Sequence, residues 1–243
     1  MRTVILATSV LIVVSGVRAD DPAAVVEKAI QATATSELRL QRLTNVVRTD
    51  RGTLFLPGGN WLADRVAYFA LPDRLKYEAT MTVAGQKQAT IMALNGPLGW
   101  HHSNGQLVNL TQPQADALKE GDLTGWALLT LRPLREKGAK LKSLPDTKIN
   151  GKAAVGVTLS KSGRPDAQFY FDAATDLPLR ITFQLREGGA DSRQQDLDVY
   201  KAFDGIRLPT QITVWQNRQK IEEWTVLNYK FPDRLADKLF VKP

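Results

Sequence analysis

The most restrictive feature of this sequence is a period-two alternation of apolar and polar residues that recurs along most of its length. It is cleanest in residues 75–83 and 179–187, where nearly every second side chain is apolar. Such alternation predicts strands that turn one face toward a core. Turn signals such as Gly85-Gln86 and Asn150-Gly151 separate the candidate strands and predict hairpins. Because no strand–helix–strand rhythm occurs, we predict an antiparallel sheet.

Two stretches depart from this alternation and predict helices. Asp21-Pro22 supplies an N-cap and a first-turn proline, and apolar residues at helical spacing follow, so we predict a helix over 22–35. Thr111 with Gln114 has the form of a capping box and opens a helical insert at about 112–137, which Gly121 should interrupt and Pro133 should kink or end. Residues 38–40 are predicted to be extended.

The sequence thus predicts a mainly β fold with α elements. The expected architecture is a single curved antiparallel sheet of about ten or eleven strands. The N-terminal helix and the helical insert would lie against the concave face of this sheet.

The first nineteen residues are typical of a secretory signal peptide. Arg2 supplies the positive start, an apolar run follows, and cleavage is expected after Ala19. An uncleaved membrane anchor is the alternative, and we expect no transmembrane span in the mature chain. Without Arg2 and Arg18, 30 basic and 25 acidic residues leave a net charge of +5. We expect a periplasmic or secreted protein in which residues 20–243 form a single domain.

The residue inventory disfavours most catalytic chemistry. There is no cysteine, and His101 and His102 are the only histidines. Adjacent residues on a strand point to opposite faces, so at most one of the two could serve a given site. We therefore predict no enzyme, no catalytic residue, no metal site and no cofactor. Basic residues are dispersed without a long run, which predicts no nucleic-acid binding.

The densest basic stretch, residues 131–142, allows two interpretations. It is either a solvated helix end, where cations interact favourably with the helix dipole, or a contact for anionic lipid headgroups or an acidic partner.

Several short patches resemble the LolA-like family of periplasmic lipoprotein carriers. They are residues 71–76, residues 94–96 with Gly99-Trp100, residues 170–180, residues 200–209 and residues 237–240. The resemblance covers nearly the whole mature chain in order. It implies an open half-barrel with a helical lid over a hydrophobic cavity for acyl chains. It also implies a basic residue for lid closure immediately before Pro72, where this chain has Leu71.

The candidate site is apolar and lies on strand faces and the lid. The predicted cavity-lining residues are Leu75, Tyr77, Met81, Ile91, Trp126, Leu129, Leu134, Leu179, Ile181, Phe183, Ile212 and Val214. We expect a monomeric, non-enzymatic carrier of a lipid or of the acyl chains of a protein. The alternative is an envelope interaction module with a filled core and a protein partner. An enclosed cavity on the order of 300 Å³ would favour the carrier, and a solid interior would favour the module.

Overall fold

The computed structural model describes residues 21–83, 85–186 and 190–243, so the predicted signal peptide lies outside the described residues. The chain begins with helix α1 (Pro22–Thr33). Asp21 caps this helix, since its carboxylate accepts a hydrogen bond of 3.1 Å from the backbone N–H of Ala23. A short helix α2 (Glu37–Gln41) follows, capped by Ser36.

Thirteen strands account for most of the remaining described residues. The first six are β1 (Asn45–Leu56), β2 (Gly59–Ala70), β3 (Arg74–Val83), β4 (Gln86–Asn95), β5 (Leu98–Ser103) and β6 (Gln106–Asn109). After a helical segment come β7 (Lys140–Ile149), β8 (Lys152–Lys161), β9 (Arg164–Asp172), β10 (Pro178–Gln184), β11 (Ser192–Phe203), β12 (Ile206–Gln216) and β13 (Gln219–Lys230).

All thirteen strands belong to one antiparallel sheet, which is curved and does not close. Its order is β6-β5-β4-β3-β2-β1-β13-β12-β11-β10-β9-β8-β7. Every neighbouring pair is therefore a sequential hairpin pair except the central one, where β1 pairs with β13. The predicted fold class is confirmed, with two or three more strands than the sequence indicated.

The helical insert crosses the concave face of this sheet. It consists of helix α3 (Gln112–Ala117), a π-helical stretch (Leu118–Leu123) and helix α4 (Thr124–Leu129), which run on without a break. We call these residues, 112–129, the lid helix. The expected interruption at Gly121 is wrong, because the chain widens into π-helical turns there. The helix ends at Leu129, and Pro133 lies in a separate 3₁₀ turn (Arg132–Arg135).

The core occupies the space between the concave face and the helices. Val26, Ile30 and Ala29 of α1 are buried, and α1 contacts β7, β8 and β12. The predicted extended structure at 38–40 is wrong, because these residues belong to α2. That helix buries Leu40 and leaves Leu38 exposed. The concave face and the lid helix together therefore frame the candidate site.

Candidate functional site

Most of the predicted site residues meet on the concave side of the sheet. One continuous core contains eight of them as fully buried members or as side chains packed against it from β3, β10 and β12: Leu75, Tyr77, Met81, Ile181, Phe183, Ile212 and Val214, with Trp126 from the lid helix. Leu129 of the lid helix and Leu134 of the following turn join the same core. The register agrees, since Gln195 of β11 pairs with both Ile181 and Val214 and so shares their face.

Two residues of the predicted set lie elsewhere. Ile91 pairs with Glu78, so it lies on the convex face, and Met92, which pairs with Tyr77, takes the concave position instead. Leu179 sits where the register shifts between β9 and β10. Such a bulge breaks the alternation of faces, and Leu179 packs into a separate small cluster with Ile149 and Ala154.

The concave face also carries buried charges that the apolar pattern did not predict. Asp50 of β1 is fully buried and lies between two arginines. Arg65 of β2 donates to its Oδ2 from Nε at 3.0 Å and from Nη2 at 2.8 Å. The Nε of Arg48 lies 3.0 Å from Oδ1 and donates to Oδ2 at 3.1 Å. Asp50 is thus a shared counterion for both guanidinium groups.

A second acidic group extends this cluster toward β11. Glu222 of β13 lies 3.6 Å from Nη1 of Arg65 and 3.5 Å from Nη2 of Arg193. Its Oε2 accepts a hydrogen bond of 2.6 Å from the indole N–H of Trp224. The guanidinium of Arg65 lies 3.6 Å from the centroid of the Trp224 ring, a cation–π contact. A buried aromatic ring therefore stabilises the Arg65 guanidinium in addition to the carboxylates.

The lid helix completes the cluster with a carboxylate of its own. The Oδ1 of Asp122, in the π-helical stretch, lies 3.2 Å from Nη2 of Arg193. Of the six charged groups, the sheet contributes three cations and two anions, and the lid helix contributes the third anion. The cluster is neutral only when the lid helix covers the sheet. We call these six residues the charge cluster: Arg48, Asp50, Arg65, Asp122, Arg193 and Glu222.

Burial and ion pairing shift the pKa values of Asp122 and Glu222 in opposite directions. Burial raises the pKa of Asp122, and the nearby Glu222 raises it further, while Arg193 opposes both. Burial also opposes ionisation of Glu222, but Arg65 and Arg193 outweigh it and hold its pKa below the usual value. Asp122 is consequently the acidic group of this pair whose charge is less well compensated.

Two glycines allow the lid helix to approach the sheet closely. A Cβ at Gly121 would overlap the guanidinium of Arg193, and one at Gly125 would overlap the side-chain amide of Gln195. Spaced four apart, the two glycines lie on one helix face. A larger side chain at either position would force the facing side chain, Arg193 or Gln195, to move.

Trp126 anchors the same helix at its other side. Its ring stacks on Phe69 with centroids 4.7 Å apart, and its indole N–H donates to the backbone carbonyl of Leu43 at 3.2 Å. The side chain is fully buried. Trp126 therefore lies in the core between the lid helix and the sheet.

The closed arrangement leaves little free volume. A cavity of about 20 Å³ lies between the lid helix and the sheet, lined by Tyr77, Asp122, Gln195 and Glu222 among others. That volume holds about one water molecule and is far below the roughly 300 Å³ expected of a preformed ligand pocket. The enclosed acyl-chain cavity expected from the sequence is not formed while the lid helix lies in this position.

A signal for the buried charges was available in the strand pattern. Val46, Arg48 and Asp50 occupy alternate positions of β1, and Ala63, Arg65 and Ala67 do so in β2. Since alternate residues share a face, charges in phase with buried apolar residues indicate a charged patch inside the core.

The two histidines lie on β5 and are half-buried. The Oγ1 of Thr90 lies 2.8 Å from Nε2 of His101. Within residues 21–83, 85–186 and 190–243, no group of three or more His, Asp or Glu side chains is arranged to hold a metal ion. In the same residues no helix has the length and apolar character needed to cross a bilayer.

The basic stretch at 131–142 makes ion pairs with the N-terminal helices. Arg135 pairs with Glu27 of α1 and, at 3.0 Å, with Glu37 of α2. These contacts tie the segment after the lid helix to the N-terminal helices.

Solved structures place this architecture among known folds. An outer membrane lipoprotein-sorting protein domain from Vibrio parahaemolyticus matches with a TM-score of 0.52 and 15% identity over 88% of this chain and 97% of that one. A LolA superfamily protein from Nitrosomonas europaea matches with a TM-score of 0.56 and 14% identity over 91% and 97%. The chain has the LolA-like fold. A DUF1329 family protein from Desulfovibrio piger gives a TM-score of 0.51 at 12% identity, over 91% of this chain and 98% of that one.

No protein-family model and no curated protein matches the chain. At these low identities the structural similarity concerns the LolA-like fold alone. The sequence resemblance to that fold is confirmed.

No basic residue precedes Pro72 at the position where the family resemblance implied one. Leu71 packs against the core as an apolar side chain. The nearby Arg74 pairs with Asp237 at 2.6 Å and lies over the ring of Phe240, so it serves the C-terminal segment. Two arginines pair with the lid helix instead: Arg193 of β11 with Asp122, and Arg186, which follows β10, with Glu120 at 3.2 Å.

Proposed function

We propose that this protein is an exported, non-enzymatic carrier that binds an acyl chain of a lipid or acylated protein between its lid helix and its concave sheet face. The LolA-like fold supports this proposal, since a lipoprotein-sorting domain has a similar structure. The observation that carries it is the composition of the contact between the lid helix and the sheet.

That contact combines apolar packing with charged and polar groups. It contains the ion pair between Asp122 and Arg193, whose side chains are 18% and 7% exposed. Within the described residues, the Nε of Arg193 and the Oε1 of Gln195 are buried without a hydrogen-bond partner. Buried ion pairs stabilise little compared with apolar packing of similar volume, and buried polar atoms without partners destabilise. These polar groups offset part of the stabilisation that the buried Leu123, Trp126 and Leu129 of the lid helix provide, so a ligand that lifts the helix must replace those apolar contacts.

Movement of the lid helix would uncover an apolar surface suited to acyl chains. This surface comprises Phe69, Tyr77, Ile181, Phe183, Ile212 and Val214, which pack together in the core. Transfer of each methylene from water onto such a surface contributes about 0.8 kcal/mol. Acyl-chain contacts would thus replace the contacts that the lid helix makes in the closed arrangement.

A second candidate function is an envelope interaction module whose core stays filled. The small volume between lid helix and sheet, about 20 Å³, favours it. The two candidates differ in one physical respect, since only the carrier must open its lid to act.

An engineered disulfide across the lid separates these candidates. The chain has no cysteine, so Gly125→Cys with Gln195→Cys creates a single possible bond. A Cβ at Gly125 would lie 3.2 Å from Cδ of Gln195, so the side chain at position 195 extends toward position 125. We expect the oxidised variant to lose binding of a fluorescent fatty acid and the reduced variant to regain it. Thiol titration reports whether the bond has formed.

The single variant Gln195→Cys is the matched control, since it keeps Gly125 and has no second cysteine, and it should behave alike under oxidising and reducing conditions. Mass spectrometry of lipid extracted from the purified wild-type protein supplies an independent measurement. Equal binding by the locked and reduced forms would place the ligand outside the lid. Absence of both copurified lipid and probe binding would refute the carrier and favour the interaction module.

A further inference from the structure

We infer that the acyl ligand ends in an anionic group, a carboxylate or a phosphate, which binds Arg193 in the place that Asp122 occupies in the closed arrangement. This inference rests on the proposed carrier function and specifies the ligand class. Its basis is the distribution of charge between the sheet and the lid helix.

The charge cluster divides unequally between the two elements. Asp50 compensates the pair Arg48 and Arg65 from within the sheet, with contacts of 2.8 to 3.1 Å. Glu222 is shared between Arg65 and Arg193 at the longer distances of 3.6 and 3.5 Å. When the lid helix lifts, its carboxylate leaves with it. The cluster then keeps three cations and two anions, a net charge of +1.

Arg193 is the cation that loses most in that step. Asp122 is its nearest acidic partner, at 3.2 Å, and Glu222 lies farther away at 3.5 Å. Its Nε has no partner even in the closed arrangement. A guanidinium offers donors in a fork that suits carboxylate and phosphate oxygens. An anionic group on the ligand would therefore accept hydrogen bonds from the Arg193 donors that lose Asp122 when the lid helix lifts, and from the Nε that has no partner.

The position of Arg193 fits the end of an amphiphile. It pairs across the sheet with Phe183 of β10 and lies two residues from Gln195, which pairs with Ile181 and Val214. Apolar side chains thus adjoin the charged group on the same face. An acyl chain on these side chains would bring its terminal anion within reach of the guanidinium.

Matched ligands with and without charge test the inference. Isothermal titration compares oleate with oleyl alcohol, and dioctanoyl phosphatidate with dioctanoylglycerol, so the two pairs distinguish a carboxylate from a phosphate. We expect the wild-type protein to bind at least one anionic member about tenfold or more tighter than its neutral counterpart, because hydrogen bonds to charged groups are strong when partly buried. The ratio of the two affinities is the readout, since loosening the lid changes both by the same factor.

Four variants locate the origin of that ratio. Arg193→Gln should bring it close to one, and Asp122→Asn should leave it unchanged although it loosens the lid. The double variant removes one charge of each sign, keeps the cluster balanced if Arg193→Gln alone folds poorly, and should also give a ratio near one. Arg51→Gln makes the same charge change on the exposed face of β1 and should retain the wild-type ratio.

The outcomes separate the two proposals. Equal affinity of wild-type protein for charged and neutral ligands would overturn the anionic ligand class and leave the carrier standing. Retention of the preference after Arg193→Gln or in the double variant would overturn the role of Arg193. Failure to bind any of the four ligands would overturn the carrier function itself and this inference with it.

Discussion

Two neighbouring ion pairs on the first hairpin allow a direct test of how much the buried charges matter. Asp50 of β1 pairs across the strands with Arg65 of β2, and the next pair in register is Arg51 with Asp64. The two pairs face opposite sides of the same two strands. In the inner pair the carboxylate is 0% exposed, whereas in the outer pair both side chains are more than 60% exposed. Asp50→Asn and Asp64→Asn are therefore the same chemical change in two environments.

The two substitutions should lower the free energy of unfolding by very different amounts. Removing one partner of a buried ion pair costs about 3 to 5 kcal/mol, because the remaining charge stays buried without compensation. Asp50→Asn leaves Arg48 and Arg65 in that condition, while the amide oxygen retains one acceptor. We expect the lower part of the range, about 3 kcal/mol, which is a large share of a typical stability of 5 to 15 kcal/mol. For a chain of this size the melting temperature should fall by about 6 to 12 °C.

Reversible urea unfolding followed by circular dichroism measures both variants. We expect Asp50→Asn to unfold at clearly lower urea with an unchanged slope, and Asp64→Asn to coincide with the wild type within error, since exposed pairs stabilise little. Equal destabilisation by the two substitutions, or a loss of less than about 1 kcal/mol for Asp50→Asn, would contradict the buried charge cluster.

Two further predictions concern the lid and the response to acid. Trp126→Ala should lower the free energy of unfolding by about 3 to 5 kcal/mol, and Trp126→Phe by clearly less, because Phe keeps the stack on Phe69. Nearly equal urea unfolding midpoints for Trp126→Ala and the wild type would show that the lid helix does not cover the sheet in solution. Burial opposes ionisation of Glu136, but Lys161 and Arg164 outweigh it and lower its pKa. Its stabilising effect is therefore complete above its unfolded-state pKa and lost as the pH falls through the folded value. The difference in melting temperature between Glu136→Gln and the wild type should accordingly close between about pH 5 and pH 3, and a difference independent of pH would refute this.

Alternation and turn signals were enough to predict the sheet, because a strand with one buried face must alternate. They failed where a segment is too short to show its period. Leu38 and Leu40 are spaced like strand residues, yet Ser36 accepts a hydrogen bond from the backbone N–H of Arg39 and starts a helix. A helix cap outweighed two apolar residues there.

The candidate site was predictable in its apolar part and not in its charges. Residues in long alternating strands, such as Ile181 and Phe183, reached the expected face. Leu179 did not, because a bulge depends on the partner strand and leaves little trace in one sequence. Arg193 and Asp122 are about seventy positions apart in the chain, and only the register of the sheet and the path of the lid helix bring them together.

The pairing of the first strand with the last has a consequence for the order of assembly. A chain that emerges from its N-terminus completes β1 to β6 while the partner of β1, near its C-terminal end, is still missing. During that interval β1 is an open edge, where inward-pointing charges such as Arg48 and Asp50 disfavour pairing with other chains. Truncation before β13 would leave that edge permanently open. Because β1 and β13 are neighbours at the centre of the sheet, loss of β13 would disrupt the fold as severely as loss of β1.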